Sequence, residues 1–375
     1  MWGGAKYDIV VLGLTITSSW GNGHATTYRG LIGQLAKSGY NVLFLERNNP
    51  RYAGCRDLEK HACGRTESYT SLRELKRKYG KAVKNAQLVI IGSSVVEGAA
   101  VGEWVSQTAN GLTAFYDIDT PVTLSKLEDK DYEHLSPNLI PLYDLYLSFT
   151  GGPTLDLLES VHGSPMARPL YCSVDTLHYY PEERDGHIYD LGYMGTYTSD
   201  RQESLESLMF ETARKMPLGR FAVAGAQYPR EIRWPSNIKR IDHLAPARHR
   251  EFYCSQRFTL NLTKEKMADA GYAPSIRLFE AAACGVPIIS DYWEGLSNFF
   301  IFGEEILLSS CAENTQKYLT EIPEEKRREI GERARKRALM EHSSAHRVKE
   351  LEGYMQEALK AKLRKKARHF ISQYY

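Results

Sequence analysis

Residues 271–296 read GYAPSIRLFEAAACGVPIISDYWEGL, and the punctuation of that stretch decides how the rest is read. Gly271, Pro274 and Ser275 make a turn, and a short helix is expected from Ile276 to Ala283. Cys284-Gly285 closes it, because glycine takes the left-handed conformation that a helix end needs. Val286-Pro287-Ile288-Ile289 then reads as a buried parallel strand. A helix start at Ser275 has free N–H groups and the positive end of the dipole, so an anion such as a diphosphate fits there. Arg277, in the first turn, adds a forked cation, and Glu280 one turn later offers a carboxylate to ribose hydroxyls. The same pattern also describes an ordinary helix-strand junction with no ligand.

The run RLFEAAACGVPIIS resembles the donor-site segment of the GT-B glycosyltransferases, whose family-4 members carry a similar glutamate-alanine-x-alanine-cysteine-glycine-x-proline run. The Ser-Ile-Arg-Leu-Phe-Glu form, with Asp291 following, is most similar to the CgeB-like branch. That resemblance implies an α/β protein of two Rossmann-like domains facing a central cleft, with a C-terminal helix crossing back to the first domain. It also implies that Glu280 holds the nucleotide ribose and that a second glutamate, eight positions earlier, contacts the sugar. The earlier position is Tyr272, so the pair is broken; Glu265 and Asp269 in the preceding loop are the acids offered as substitutes.

A chain of 375 residues exceeds one comfortable core and favours two domains. Apolar content of 42% and charge of 25% describe a globular protein. The 48 basic and 46 acidic residues leave no global field to draw nucleic acid or an anionic membrane. Six cysteines lack a disulfide-framework spacing, and no signal-peptide pattern or membrane-length apolar run stands out. The expected location is therefore a reducing cytoplasm. Cys55, His61 and Cys63 are spaced like part of a zinc set, but a fourth ligand at suitable spacing is missing, so neither metal nor cofactor is expected.

From the amino end, Tyr7 to Leu14 reads as a buried strand, TITSSWGNGHATT as a loop, Thr26 to Ser38 as an amphipathic helix and Tyr40 to Glu46 as the next strand. This is a Rossmann-like beginning, and ligands bind at the carboxyl ends of such strands. Gly13, Gly21 and Gly23 miss the G-x-G-x-x-G spacing, which weakens a hydride-transfer reading. His24 in the loop is either a base or hydroxyl-steadying group, or a side chain that orders the loop. Further strands are expected over Gln87–Ser93, Leu112–Asp117 and Asp144–Thr150. Asp117-Ile-Asp119 has the spacing of a metal-diphosphate motif, since two such carboxylates can grip one divalent cation. Because it lies in the other half of the chain from the cradle, Asp117 and Asp119 are preferred as cleft-facing acceptor-side or loop-ordering residues.

The segment Pro169 to Pro181 (PLYCSVDTLHYYP) resembles the interdomain linker of family-4 enzymes. The expected division is residues 1–172 as an acceptor-side domain, 173–342 as the donor domain and 343–375 as a crossover helix with a basic tail. Within the donor domain, strands are expected over Asp190–Met194, Gly219–Gly225, Ile238–Leu244, Phe258–Thr263 and Glu304–Leu308. The resemblance puts the loop of Gly195 beside the donor phosphates, and His243 with Leu244 near the nucleobase. Arg201 is a second cation or an exposed first-turn arginine, and Lys264 a phosphate cation. Long helices are expected over Pro323–Met340 and Ser344–Phe370, the second ending in Lys360, Lys362, Arg364, Lys365, Lys366 and Arg368. That tail is either a solvated helix end or a contact to an anionic acceptor or membrane surface.

The combined expectation is a glycosyltransferase that moves a sugar from a nucleoside diphosphate donor to a glycan, lipid, protein or nucleobase acceptor, without metal. Family-4 likeness implies retention of anomeric configuration. Two rivals stay open: a nucleotide-sugar epimerase of the same fold, and a non-catalytic nucleotide-sugar-binding protein suggested by the missing glutamate.

Overall fold

Continuous apolar runs such as IVVLG and LVIIG suit strands covered on both faces, and they form the centre of a wholly parallel sheet. The computed structural model describes residues 7–58, 64–183 and 186–374, in two compact units: residues 1–171 with 345–375, and residues 172–344. The first unit holds β1 (Ile9–Gly13), β2 (Val42–Arg47), β3 (Arg65–Tyr69), β4 (Leu88–Gly92), β5 (Leu112–Asp117), β6 (Leu145–Ser148) and β7 (Ala167–Pro169). They lie in the order β3-β2-β1-β4-β5-β6-β7. Leu12 stands opposite Leu45 on one side and Ile91 on the other. Val10, Leu12, Leu45, Val89, Ile91 and Phe115 are buried together, and each such side chain contributes about 1.5–3 kcal/mol by leaving water. The strand order reverses at β1 and β4, which opens a crevice beyond their carboxyl ends.

The second unit repeats the plan with β8 (Tyr189–Met194), β9 (Phe221–Ala224), β10 (Ile238–Ile241), β11 (Gln256–Asn261), β12 (Ile288–Ser290) and β13 (Leu307–Leu308), in the order β10-β9-β8-β11-β12-β13. Its reversal falls between β8 and β11. The helix Ile276–Ala283 has the span read from the sequence, and its end is closed as the glycine suggests. Gly285 sits at φ +71°, its N–H donates to Ala282 O at 2.8 Å, and Val286 N–H donates to Ala281 O at 3.1 Å. Because Val286 spends its N–H there and Pro287 has none, the strand starts two residues later than expected, at Ile288.

Other elements depart from the sequence reading for local reasons. β3 (RTESY) has no apolar run to announce it; it is an edge strand whose polar side chains stay largely in water. β7 ends on Pro169, which an edge strand tolerates because no ladder N–H is required of it. The strands expected over Ile238–Leu244 and Glu304–Leu308 contract to β10 and β13. Helices over Thr120–Glu128, Glu265–Ala270 and Ala312–Glu321 are too short and too polar for periodicity to register.

The last helix, Ser344–Tyr374, packs within the first unit. Tyr40 Oη donates to Glu352 Oε1 at 3.1 Å, and Tyr354 Oη donates to Pro169 O at 3.1 Å. Lys362 corrects the reading of a uniformly free basic tail: its Nζ donates to Gly111 O at 2.7 Å and to Asp144 Oδ2 at 2.8 Å. Lys360, Arg364 and Lys365 are exposed, whereas the side chains of Lys366 and Arg368 lie outside the described residues. Among the described residues no helix is long and apolar enough to cross a membrane.

Candidate functional site

In the second unit, the crevice at the strand reversal is lined with cations. Arg277 Nη2 donates to Leu262 O, just past β11, at 2.8 Å, and its guanidinium carbon lies 5.8 Å from the centroid of the Tyr193 ring on β8. Its Nε is buried without a hydrogen-bond partner. Arg201 is 6% exposed, which settles its two readings against an exposed first-turn arginine. Arg201 Nε donates to Thr198 Oγ1 at 2.8 Å and Nη2 to Thr196 O at 2.5 Å. Burial, and less strongly the positive charge of Arg277, make Arg201 easier to deprotonate than a free arginine, with Tyr193 opposing them. Two guanidinium groups that repel each other in a partly dry crevice create a demand for an anion.

The remaining donor-side candidates are arranged around this pair. Gly195 follows β8, and a Cβ there would lie 2.5 Å from Tyr193 Oη, so only glycine fits. Tyr228 Oη donates to its carbonyl at 3.1 Å. Ser275 does not cap its own helix; its Oγ donates to Asn261 Oδ1 at 2.7 Å, leaving the first-turn N–H groups without a side-chain cap. Lys264 is the N-cap residue of the helix Glu265–Ala270, three residues beyond β11. His243 is exposed and Leu244 buried, after β10, two strands away from β8.

Glu280 is 2% exposed. Its carboxyl accepts from Tyr253 Oη at 3.0 Å and also from Tyr179. Burial pushes its pKa up to about 7, with the two phenols and Arg277 pulling the other way. Tyr272, where the family pattern has a glutamate, adopts φ +48°, an uncommon conformation for a bulky residue. It is held there by its N–H, which donates to Glu294 O at 2.6 Å, and by a ring lying where any Cβ on Gly295 would come within 2.4 Å. Glu265 and Asp269 are both exposed. Asp291 turns inward instead, accepting from Thr263 N at 2.8 Å and Thr263 Oγ1 at 3.0 Å.

In the first unit the helix after β1 starts at Gly23, earlier than the expected Thr26, so His24 lies in its first turn and not in the loop, and there it meets the turn after β5. His24 Nε2 lies 2.8 Å from Asp119 Oδ2, and His24 Nδ1 is buried with no partner. Asp117 is fully buried, so of the roles expected for it the cleft-facing one gives way to loop ordering. It accepts from Tyr146 Oη at 2.6 Å, Thr123 Oγ1 at 2.8 Å and Asp119 N at 3.3 Å. Burial raises its pKa to about 6 against those hydroxyl donors, with the neighbouring Asp119 charge adding to the rise. The two carboxylates of the Asp-Ile-Asp run thus serve different partners. Cys55 is exposed, while His61 and Cys63 lie outside the described residues. Among the described residues no group of three His, Cys, Asp or Glu side chains is placed to hold a metal ion.

The family described as glycosyl transferase-like matches residues 201–353, a span that opens on Arg201 and contains Arg277 and Glu280. Residues 201–353 thus resemble a glycosyl transferase-like family, and the chain has the GT-B fold. Among solved structures, sucrose-phosphate synthase from Thermosynechococcus elongatus aligns with a TM-score of 0.65 at 15% identity, covering 94% of this chain and 99% of that one. HepE from Anabaena, solved with UDP and glucose, aligns at 0.69 and 12% identity over 94% and 100%. An alpha-glucosyltransferase in complex with UDP aligns at 0.70 and 12% identity over 93% and 99%. No curated protein sequence matches the chain.

Several residues that shape the first unit escape sequence reasoning. Glu46, at the end of β2, is 3% exposed and accepts from Thr15 Oγ1 at 2.9 Å, Ile16 N at 2.8 Å and Thr17 Oγ1 at 2.6 Å. An acid at that position binds ribose in dinucleotide enzymes. Here it is consumed in holding the loop that leads into the helix Gly23–Lys37, on which His24 sits, and this agrees with the missing glycine fingerprint. Asp57 pins the same loop through Ser19 N at 2.9 Å and a forked pair to Arg29 at 2.9 and 3.0 Å. The acid at the end of an apolar run was a visible signal for Glu46; nothing local marks Asp57.

Proposed function

We propose that the chain transfers a glycosyl group from a nucleoside diphosphate sugar, with residues 173–342 as the donor domain and residues 1–172 supplying the acceptor side. The observation that carries this reading is the pair Arg201 and Arg277 beside Tyr193, two close cations for which no salt bridge is formed among the described residues. Cleavage of the bond from sugar to diphosphate places negative charge on the leaving oxygens, and fixed cations stabilise that charge without reorganising. Arg277, Arg201, Lys264 and the helix N-terminus at Ser275 take the diphosphate beside Gly195. Glu280, held by Tyr253 and Tyr179, takes the ribose side, and His243 with Leu244 the nucleobase side. Asp119, steadied by His24, faces the acceptor hydroxyl, and Asp117 is a positioning residue behind it. Retention of configuration follows from the family-4 likeness, and no metal is required. The acceptor is a glycan, lipid, protein or nucleobase.

Uridine diphosphate is the first nucleotide to test, because HepE and the alpha-glucosyltransferase were each solved with it. Among the described residues Cys172, Cys254 and Cys284 are buried thiols, which suits a reducing cytoplasm. Thermal-shift titration with UDP, GDP and ADP, then with their sugars, is the decisive measurement; a ligand at a hundred times its Kd stabilises by about 2.7 kcal/mol. Silence with every nucleoside diphosphate would overturn the reading. Conversion of the donor without acceptor would instead mark an epimerase, and binding without diphosphate release a non-catalytic protein.

A further inference from the structure

The basic last turn of one helix of the first unit and a basic stretch of another lie close together. Lys84, in the last turn of the helix Leu72–Asn85, offers its carbonyl to Asn110 N at 3.1 Å. The next residue, Gly111, accepts from Lys362 on the helix Ser344–Tyr374. Arg77, Lys81 and Lys84 are exposed on the first helix, and Lys360, Arg364 and Lys365 on the second, with Lys362 neutralised by Asp144. From Leu359 to Tyr375 the sequence has no aspartate or glutamate, although the whole chain is nearly balanced at 48 basic and 46 acidic residues. Beside the cations, Leu359 and Leu363 stand one helical turn apart, 48% and 58% exposed. Gly111 directly precedes β5, so this face lies at the amino ends of the strands, whereas Asp119 follows the carboxyl end of β5, about 20 Å away.

We propose that this face docks the protein on an anionic phospholipid surface, with the lysines and arginines on the headgroups and Leu359 and Leu363 in the interfacial layer. Cations attract either lipid or nucleic acid, but exposed leucines gain only from a layer they can enter. A partner bound here also leaves the His24–Asp119 end of the sheet open.

The test is co-sedimentation of the full chain with vesicles of phosphatidylcholine alone and with about one-third phosphatidylglycerol added. Binding is expected only to the second, and weaker in high salt. The variant Lys360→Glu/Arg364→Glu/Lys365→Glu should bind at least about tenfold less, and Leu359→Ser/Leu363→Ser should also bind less. Both should keep the parent's melting temperature and its response to UDP. Equal binding to both vesicles, no binding to either, or capture of a DNA duplex in their place would overturn the proposal.

Discussion

Asp119 is the open member and His24 the enclosed member of the pair joined at 2.8 Å, with side chains 29% and 11% exposed. A histidine sealed behind a carboxylate orients it, and in the function proposed above that carboxylate meets the acceptor hydroxyl. Asp119→Ala should lower kcat by about a hundredfold or more, the usual scale for a lost acid-base group. His24→Ala should lower kcat less and change its pH profile, with the affinity for nucleoside diphosphate unchanged in both. Loss of nucleotide binding in either variant would move the pair to the donor site.

Arg277→Ala removes a charge-assisted contact and should cost about 1.5–3 kcal/mol of donor binding. Arg201→Ala should cost a similar amount. Calorimetric titration with UDP measures both, and Glu280→Ala gives the contrast: it should weaken nucleoside diphosphates and hardly affect inorganic pyrophosphate. Two arginine variants with parental affinity would remove the diphosphate from this crevice.

Glu280 makes the stability of the parent depend on pH in a stated direction. Its folded-state pKa is raised to about 7 by burial, so between the ordinary carboxyl range and that value the folded chain holds a proton that the unfolded chain releases. Stability from this group therefore falls as pH rises from about 4.5 to 7 and is level above that, by up to about 3 kcal/mol. Glu280→Gln, which cannot ionise, should remove that slope. Melting curves of the two proteins that stay parallel from pH 5 to 8 would contradict it.

Asp117 and metal are tested together. Asp117→Ala strands the hydroxyls of Tyr146 and Thr123 and should destabilise by about 1–3 kcal/mol, leaving UDP affinity unchanged. Transfer should survive excess chelator, because arginines stabilise the leaving group in this reading. Activity lost in chelator and restored by magnesium or manganese would give the Asp117-Ile-Asp119 run the metal role after all.

What the sequence determined by itself was local. Apolar runs separated by helical stretches imply parallel sheets, since a strand covered on both faces needs no polar alternation. Arg, Glu, Cys and Gly between 277 and 285 place a helix and its end within one residue, because capping depends on neighbours a few positions apart. Tertiary structure decided the rest. His24 and Asp119 are 95 positions apart, and Tyr253 and Glu280 are 27 apart. The burial of Arg201 and Asp117 and the consumption of Glu46 by its loop leave no mark in periodicity. The physical reason is that charge, hydrogen bonding and desolvation act through space at distances of a few ångströms, and only the folded chain sets which distant residues stand that close.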